Sequence, residues 1–272
     1  MKHFQDIEQP ACPVIGLADE YRPGFTDPIH SHQRSQLLYA SRGVMWVMVP
    51  SAHFCVPPQR ALWIPGGTLH EVHCRGEVSL RTLYFDDSTA LPGSGCRIIE
   101  TSAFLRALIV EVVSFGGSYP AGGRESRISQ LLTDEIKTMP TAPFLVPLPD
   151  APRLLRVCRA FLADPADRRG LDAWAGLAGM GRRTLTRQFK AATGMGLGAW
   201  SQQARLMEAL ALMASGHSVT EVAFTLGYES PSAFTAMFRR CFGTPPSRYR
   251  CLATPGSAPA SAHPSASATG PG

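Results

Sequence analysis

The sequence predicts two domains of different fold class: an N-terminal all-β barrel followed by two helices, and a C-terminal all-α domain. Residues 30–85 form short β-prone runs separated by Gly and Pro, a spacing typical of an antiparallel sandwich or barrel. From residue 153 to about residue 252 the apolar pattern is helical throughout. This second region also contains an internal repeat. A chain of 272 residues is long enough to bury a core in each domain.

The β-prone region resolves into five expected strands. They are residues 36–40, 43–49, 60–64, 69–74 and 78–85. The continuously apolar run 44–49 indicates a strand that is covered on both faces. Residues 101–115 and 124–139 carry apolar side chains at intervals of three and four, which predicts two helices.

Composition sets the expected domain boundaries. Residues 140–152 contain five prolines, too many for a helix or an internal strand, so we predict an interdomain linker there. Residues 253–272 are almost entirely Ala, Pro, Ser, Gly and Thr, which predicts a disordered tail. The domains are therefore expected at 1–139 (sensing and dimerisation) and 153–252 (helical).

The two halves differ in charge. Residues 1–149 hold 12 basic and 14 acidic side chains, a net charge of −2. Residues 150–272 hold 14 basic and 7 acidic side chains, a net charge of +7. This asymmetry is typical of a chain in which only one domain contacts a polyanion. Seven cysteines without a CxxC pair, no signal-like start and no long apolar run favour a cytoplasmic protein without a membrane partner.

The repeat in the helical domain has an offset of 49 residues. Three positions of the first copy match three of the second: Leu185 with Phe234, Phe189 with Phe238, and Gly194 with Gly243. Upstream, Trp174-Ala175 matches Val222-Ala223 at an offset of 48. Each copy has a short helix, a turn containing Gly and a second helix, which is the order of a helix-turn-helix.

Capping residues mark the helix ends in the second copy. Ser218 and Glu221 have the spacing of a capping box. Gly227 is placed to end the first helix in a left-handed conformation. Ser230 caps the next helix, and Pro231 takes its first position. The residues 197–215 between the two copies are expected to form a connecting helix.

The second helix of each copy has an apolar face and an open polar face. The polar faces hold Arg182, Arg183, Thr186, Arg187 and Lys190 in the first copy, and Ser232, Thr235, Arg239 and Arg240 in the second. A helix fits the major groove of B-DNA, where Arg can pair bidentately with guanine. These nine residues are therefore the candidate DNA contacts; the alternative is that they are ordinary surface residues of a helical bundle.

Residues 218–250 resemble the signature of AraC-type transcriptional regulators, and residues 150–250 as a whole resemble the DNA-binding domain of that family. The resemblance implies a bacterial, sequence-specific regulator with two recognition helices. Two positions depart from the family pattern. Ala236 stands where many relatives carry Arg, which predicts weaker base reading by the second helix, and Gly181 stands where a Ser cap is common.

Histidines dominate the candidate site of the N-terminal domain. His30, His32 and Gln36, followed by His70 after a Pro-Gly-Gly run, resemble the two halves of the motif of cupins, a family of small β-barrels. Residues i and i+2 of a strand share a face, so His30 and His32 are expected to point into the barrel near His70. Three roles stay open: hydrogen-bonded lining residues, polar groups of an organic effector pocket, or ligands of a divalent metal such as Zn, Ni or Fe. Gln36 replaces the Glu of metal-binding cupins, so no cofactor is assigned.

These patterns favour a transcriptional regulator that responds to a small-molecule effector. Its expected partners are a double-stranded DNA operator, the effector, a second copy of the chain, and RNA polymerase if the protein activates. The helices at 101–139 would either contact a second protomer or couple the barrel to the DNA-binding domain. The enzymatic alternative is a cupin metallo-oxygenase or isomerase; it requires a bound metal, and Gln36 argues against it, so we expect no catalysis.

Overall fold

The computed structural model describes residues 12–86, 95–142 and 144–247, and confirms the expected two-domain fold class. The strands are β1 (Val14–Tyr21), β2 (Thr26–His30), β3 (Ser35–Val49), β4 (Ala52–Val56), β5 (Arg60–Ile64), β6 (His70–Phe85), β7 (Arg97–Glu100), β8 (Thr141–Ala142) and β9 (Leu145–Pro147). The helices are α1 (Ala103–Ser114), α2 (Arg124–Thr138), α3 (Pro152–Ala163), α4 (Leu171–Ala178), α5 (Arg182–Thr193), α6 (Leu197–Ala214), α7 (Val219–Thr225) and α8 (Pro231–Phe242). The tail predicted at 253–272 lies outside the described residues.

The described strands form one antiparallel sheet built around the long pair β3 and β6. At one end of this pair, β1 flanks β6 and β5 flanks β3. At the other end, β2 flanks β6 and β4 flanks β3. Leu38 from the first end and Val72 from the second belong to the same buried cluster. The sheet therefore folds over a common core, as expected for a small barrel.

Two pairs of expected strands are in fact single strands. Residues 36–40 and 43–49 both lie in β3, and residues 69–74 and 78–85 both lie in β6. The register of the β3–β6 pair shifts between Ala40 and Val44, where Gly43 has a φ of +83°. A Cβ at Gly43 would collide with the Glu77 carbonyl. The glycine therefore marks a bulge that bends the strand rather than a turn that ends it.

The proline-rich segment is attached to the sheet. β8 pairs with β7 and β9 pairs with β4, so both add to strands of the N-terminal sheet. Proline is tolerated there because each of these short strands has a single pairing partner, which is the position of an edge strand. The described part of the predicted linker therefore packs on the β-domain, with Phe144 and Val146 buried, before α3 begins at Pro152.

The buried residues form two main clusters. In one, α1 and α2 cover the β-sheet, with Leu105 and Leu132 packed near Leu37 and Phe85. The other cluster continues from the sheet into the helical domain. Its central helix is α6, which contacts β3, β4, β6 and β9. The two domains therefore share one continuous apolar core.

The two helix-turn-helix copies have the helix ends that the sequence predicts. Gly179 and Gly227 follow α4 and α7 with φ values of +62° and +78°. Gly194 and Gly243 are the left-handed C-caps of α5 and α8. Ser230 accepts a hydrogen bond from the backbone N–H of Ala233 at the start of α8. The copies thus share the glycines that end their helices, whereas only the second copy has serine N-caps in place of Gly170 and Gly181.

The capping box of α7 gives a stability prediction. Ser218 Oγ accepts from the Glu221 backbone N–H at 3.2 Å, and the Glu221 carboxylate accepts from the Ser218 N–H at 2.7 Å. We expect Ser218→Ala to lower the free energy of unfolding by about 1 kcal/mol, because one N–H of the first turn loses its acceptor. Urea unfolding measures this loss. Ser118→Ala is the matched control, because Ser118 is exposed and its side chain makes no hydrogen bond within the described part of the chain; equal midpoints for the two variants would contradict the prediction.

Candidate nucleic-acid interface and ligand pocket

The polar face of α5 is fully open. Leu185 and Phe189 are completely buried and fix the helix on the domain core. The five predicted DNA contacts of this helix are all exposed: Arg182, Arg183, Thr186, Arg187 and Lys190. With Leu171 and Ala191 they line a surface groove of about 880 Å³. The structure therefore brings the whole predicted set together on one face.

The cations of this face differ in their availability. Arg182 Nη1 lies 3.5 Å from a carboxylate oxygen of Asp172, at the start of α4. Among the described residues, Arg183, Arg187 and Lys190 make no ion pair. Their positive charge is thus free for an anionic partner.

The polar face of α8 is arranged differently. Phe234 and Phe238 are completely buried, as predicted. Ser232, Arg239 and Arg240 are exposed, whereas Thr235 is half-buried. Both arginines lie in the last turn of the helix. Recognition helices contact base edges mainly with their N-terminal residues, and these two arginines lie outside that part of the helix.

The comparisons with known proteins agree with this arrangement. Residues 174–251 match the model of a helix-turn-helix domain, and residues 13–136 match that of the AraC-like ligand binding domain. The chain is 33% identical over 224 residues to the HTH-type transcriptional regulator NimR of Escherichia coli, covering 82% of each chain. This chain belongs to the AraC family of transcriptional regulators.

Two other similar proteins each match less than half of this chain. The HTH-type transcriptional regulator RipA of Corynebacterium glutamicum is 36% identical over 123 residues, which is 45% of this chain and 35% of that protein. The crystallised DNA-binding domain of AdpA in complex with a target DNA is 35% identical, with a TM-score of 0.33. It covers 35% of this chain and 86% of that domain. The two matching family models and the similarity to NimR show that this chain is a DNA-binding transcriptional regulator with an N-terminal ligand-binding domain.

The predicted pocket residues of that ligand-binding domain converge. His30 ends β2 and is paired in register with His70, the first residue of β6. The ring centroids of His30 and His70 are 4.3 Å apart, and those of His32 and His70 are 5.1 Å apart. Gln36 lies beside them on β3, between His32 Nε2 and the Tyr84 hydroxyl, at 3.1 Å from each. The structure therefore assembles all four residues at one site.

Burial controls the charge of these imidazoles. His70 is fully buried, and desolvation lowers its pKa to about 4. Desolvation also lowers the pKa of His32, although hydrogen bonds with Gln36 and the Arg34 backbone act in the opposite direction. Both rings are therefore neutral near pH 7.

Sequence reasoning missed further residues of this pocket. Asp19, Tyr21, Asp27 and Tyr84 line the same cavity, whose volume is about 50 Å³. The first three lie on β1 or just beside His30 on β2, neither of which was among the expected strands. Along β1, half-buried Leu17, Asp19 and Tyr21 alternate with exposed Ala18 and Glu20. The residue types in this run do not alternate between apolar and polar, so the sequence carried no strand signal here.

A set of polar contacts joins α6 to the sheet. Trp200 Nε1 donates to the Pro147 carbonyl at 2.7 Å, and the Gln203 amide donates to the Leu145 carbonyl, both on β9. Arg75, on β6, lies 3.8 Å from Glu208. Burial raises the pKa of Glu208, while Arg75 opposes this effect. The helix between the two DNA-binding copies is thus fixed directly on the ligand-binding domain.

Proposed function

We propose that the chain binds a specific operator by placing α5 and α8 in successive major grooves of one DNA face, roughly 34 Å apart. The observation that carries this proposal is the exposed face of α5, on which Arg183, Arg187 and Lys190 have no ion-pair partner among the described residues. An Arg in the major groove supplies base discrimination through bidentate contact with guanine.

The two recognition helices have different tasks in this proposal. α5 reads bases, because its arginines occupy the first two turns of the helix. α8 contributes phosphate contacts through Arg239 and Arg240, and reads fewer bases because exposed Ala236 has only a methyl side chain. Phosphate contacts position the protein without carrying sequence information directly.

A ligand in the barrel would control this binding through α6. β6 begins at His70 in the pocket and passes Arg75, which faces Glu208 of α6. A ligand that alters the start of β6 would therefore favour one position of α6, and with it one spacing of the two recognition helices. Such a ligand changes operator affinity only as far as it prefers one of these states.

The helices α1 and α2 are assigned to contact between protomers in this proposal. They pack in the separate buried cluster over the sheet, and α6 supplies the contact between domains. Phe104, Val110 and Leu131 expose large apolar side chains on these two helices. A second copy of the chain would cover them in a homodimer. Contact with RNA polymerase, required if the protein activates, and a cytoplasmic location remain predictions.

Neither catalysis nor a membrane partner enters this proposal. The similar proteins are named as transcriptional regulators. Within the described part of the chain, no helix is long and apolar enough to span a bilayer.

Fluorescence anisotropy of the full chain tests operator binding. The DNA would come from upstream of its own and neighbouring genes, with scrambled duplexes as competitors. We expect a preference of at least about a thousandfold for one fragment. Raising the salt from about 50 to 200 mM is expected to weaken binding by about 10³-fold or more if roughly six phosphates are contacted. Equal affinity for all fragments, and for duplexes selected from the whole genome, would refute specific recognition.

A further inference from the structure

The three pocket histidines share one hydrogen-bond pattern. In each of them Nδ1 faces a backbone carbonyl oxygen. The contacts are His30 with Pro28 O at 2.7 Å, His32 with Arg34 O at 2.6 Å, and His70 with Thr68 O at 2.9 Å. A carbonyl oxygen can only accept, so each Nδ1 carries a proton. In a neutral ring the other nitrogen, Nε2, then presents its lone pair.

This pattern is the one that metal-ligating histidines use. Such a histidine commonly donates its second ring N–H to a carbonyl or carboxylate, which fixes the tautomer and raises the basicity of the ligating nitrogen. For His30 and His70 this pattern leaves Nε2 as the ligand atom. His32 Nε2 lies 3.1 Å from Gln36 Oε1, which can only accept, so His32 presents its lone pair there once the Gln36 amide rotates away.

The candidate ligand atoms also lie close together. One ring nitrogen of each histidine can be chosen so that all three nitrogens lie within 4.8 Å of one another. His70 Nε2 is buried and has no hydrogen-bond partner among the residues that the structure describes. A buried polar atom without a partner costs free energy, and a bound ion at this position would remove that cost.

The cavity is too small for a bulky organic ligand. Its volume is about 50 Å³, whereas small-molecule sites occupy about 300–1,000 Å³. A water molecule takes about 30 Å³, so the space suits an ion with one or two small ligands. Asp27 adds a carboxylate oxygen 3.9 Å from His30 Nε2, which increases the attraction for a cation.

We propose that His30, His32 and His70 bind a divalent transition-metal ion through their Nε2 atoms. Three imidazoles suit Zn²⁺, Ni²⁺, Co²⁺ or Fe²⁺ and disfavour Mg²⁺ and Ca²⁺, which prefer oxygen ligands. Three protein ligands also leave a coordination position open for water or for an oxygen atom of a small ligand. Gln36 lies 3.1 Å from His32 Nε2, so its amide is the neighbouring group that must adjust to the ion.

Cobalt titration of the untagged, chelator-treated full chain tests the site. We expect visible ligand-field bands that saturate at one Co²⁺ per chain and disappear when Zn²⁺ is added. His30→Ala is expected to weaken Co²⁺ binding by at least about 100-fold. Even the loss of a group that only hydrogen-bonds to a metal ligand lowers metal affinity by about 10- to 100-fold. The matched control is His73→Ala, also on β6, where His73 contacts Glu71 instead of the pocket; we expect no change.

A variant that is expected to bind the ion more tightly distinguishes loss of the metal site from loss of the fold. Gln36→Glu places a carboxylate of nearly the same size beside His32, and we expect tighter Co²⁺ binding by about tenfold or more, since a charged oxygen ligand attracts the ion more strongly than an amide. The proposal is overturned if the chain shows no ligand-field bands, or if His30→Ala and His73→Ala bind Co²⁺ equally. The assay contains no DNA, so its result stands apart from that of the operator experiment.

Discussion

Arg187→Ala is expected to weaken operator binding by about 1–3 kcal/mol and to relax the preference at one base pair. Arg187 is exposed on α5, one turn after Arg183, and has no ion-pair partner among the described residues. Its removal leaves the helix intact, because the buried side chains Leu185 and Phe189 are untouched. The measurement is anisotropy on the operator and on its single-base variants.

The matched control for this change is Arg22→Ala. Arg22 is exposed in the turn between β1 and β2, and its side chain makes no ion pair or hydrogen bond with the described residues. Both variants lose one positive charge, so a general charge effect would weaken both equally. The assignment of Arg187 to base reading fails if its variant keeps the full base preference, or if it merely matches the loss of affinity of Arg22→Ala.

Trp200→Ala is expected to destabilise the whole chain by about 3–5 kcal/mol. Trp200, on α6, is completely buried, and its ring lies 5.8 Å from that of Phe161 and 5.7 Å from that of Phe189. The variant leaves a large cavity in this cluster and also removes the hydrogen bond to the Pro147 carbonyl. Urea unfolding followed by circular dichroism measures the change.

Two further variants separate the contributions of Trp200. Trp200→Phe keeps most of the ring but removes the donor, so we expect a smaller loss, of which about 1 kcal/mol comes from the hydrogen bond. Phe224→Ala removes an aromatic ring that is 56% exposed and is expected to change stability by less than about 0.5 kcal/mol. A Trp200→Ala variant as stable as Phe224→Ala would show that α6 does not anchor the core.

Local sequence signals predicted the DNA-binding domain well. The capping box at Ser218 and the left-handed glycines such as Gly227 act over three or four residues, so they can be recognised without knowing the fold. The repeat supplied a second, independent copy of the apolar spacing and of the glycines, although not of the capping box. For this reason the prediction that Arg183 and Arg187 lie on an exposed face of α5 agrees with the structure.

The β-domain was less predictable because its structure depends on long-range pairing. The sequence predicts separate strands at 36–40 and 43–49, and only the register with β6 shows that one strand with a bulge near Gly43 runs through both. The histidine pocket was found through its motif spacing. Tyr84 and Asp27 were missed, because they reach the pocket only through the pairing of β6 with β3 and β2.

In the proposed function, in which α6 links the pocket to the recognition helices, the relation between pocket and operator is reciprocal. Thermodynamic linkage requires that a pocket ligand which raises operator affinity by some factor must itself be held more tightly, by that same factor, once the operator is bound. The contacts of Arg75 with Glu208 and of Trp200 with β9 are where that coupling free energy would reside. The operator is then an effector of the β-domain as much as the pocket ligand is an effector of transcription.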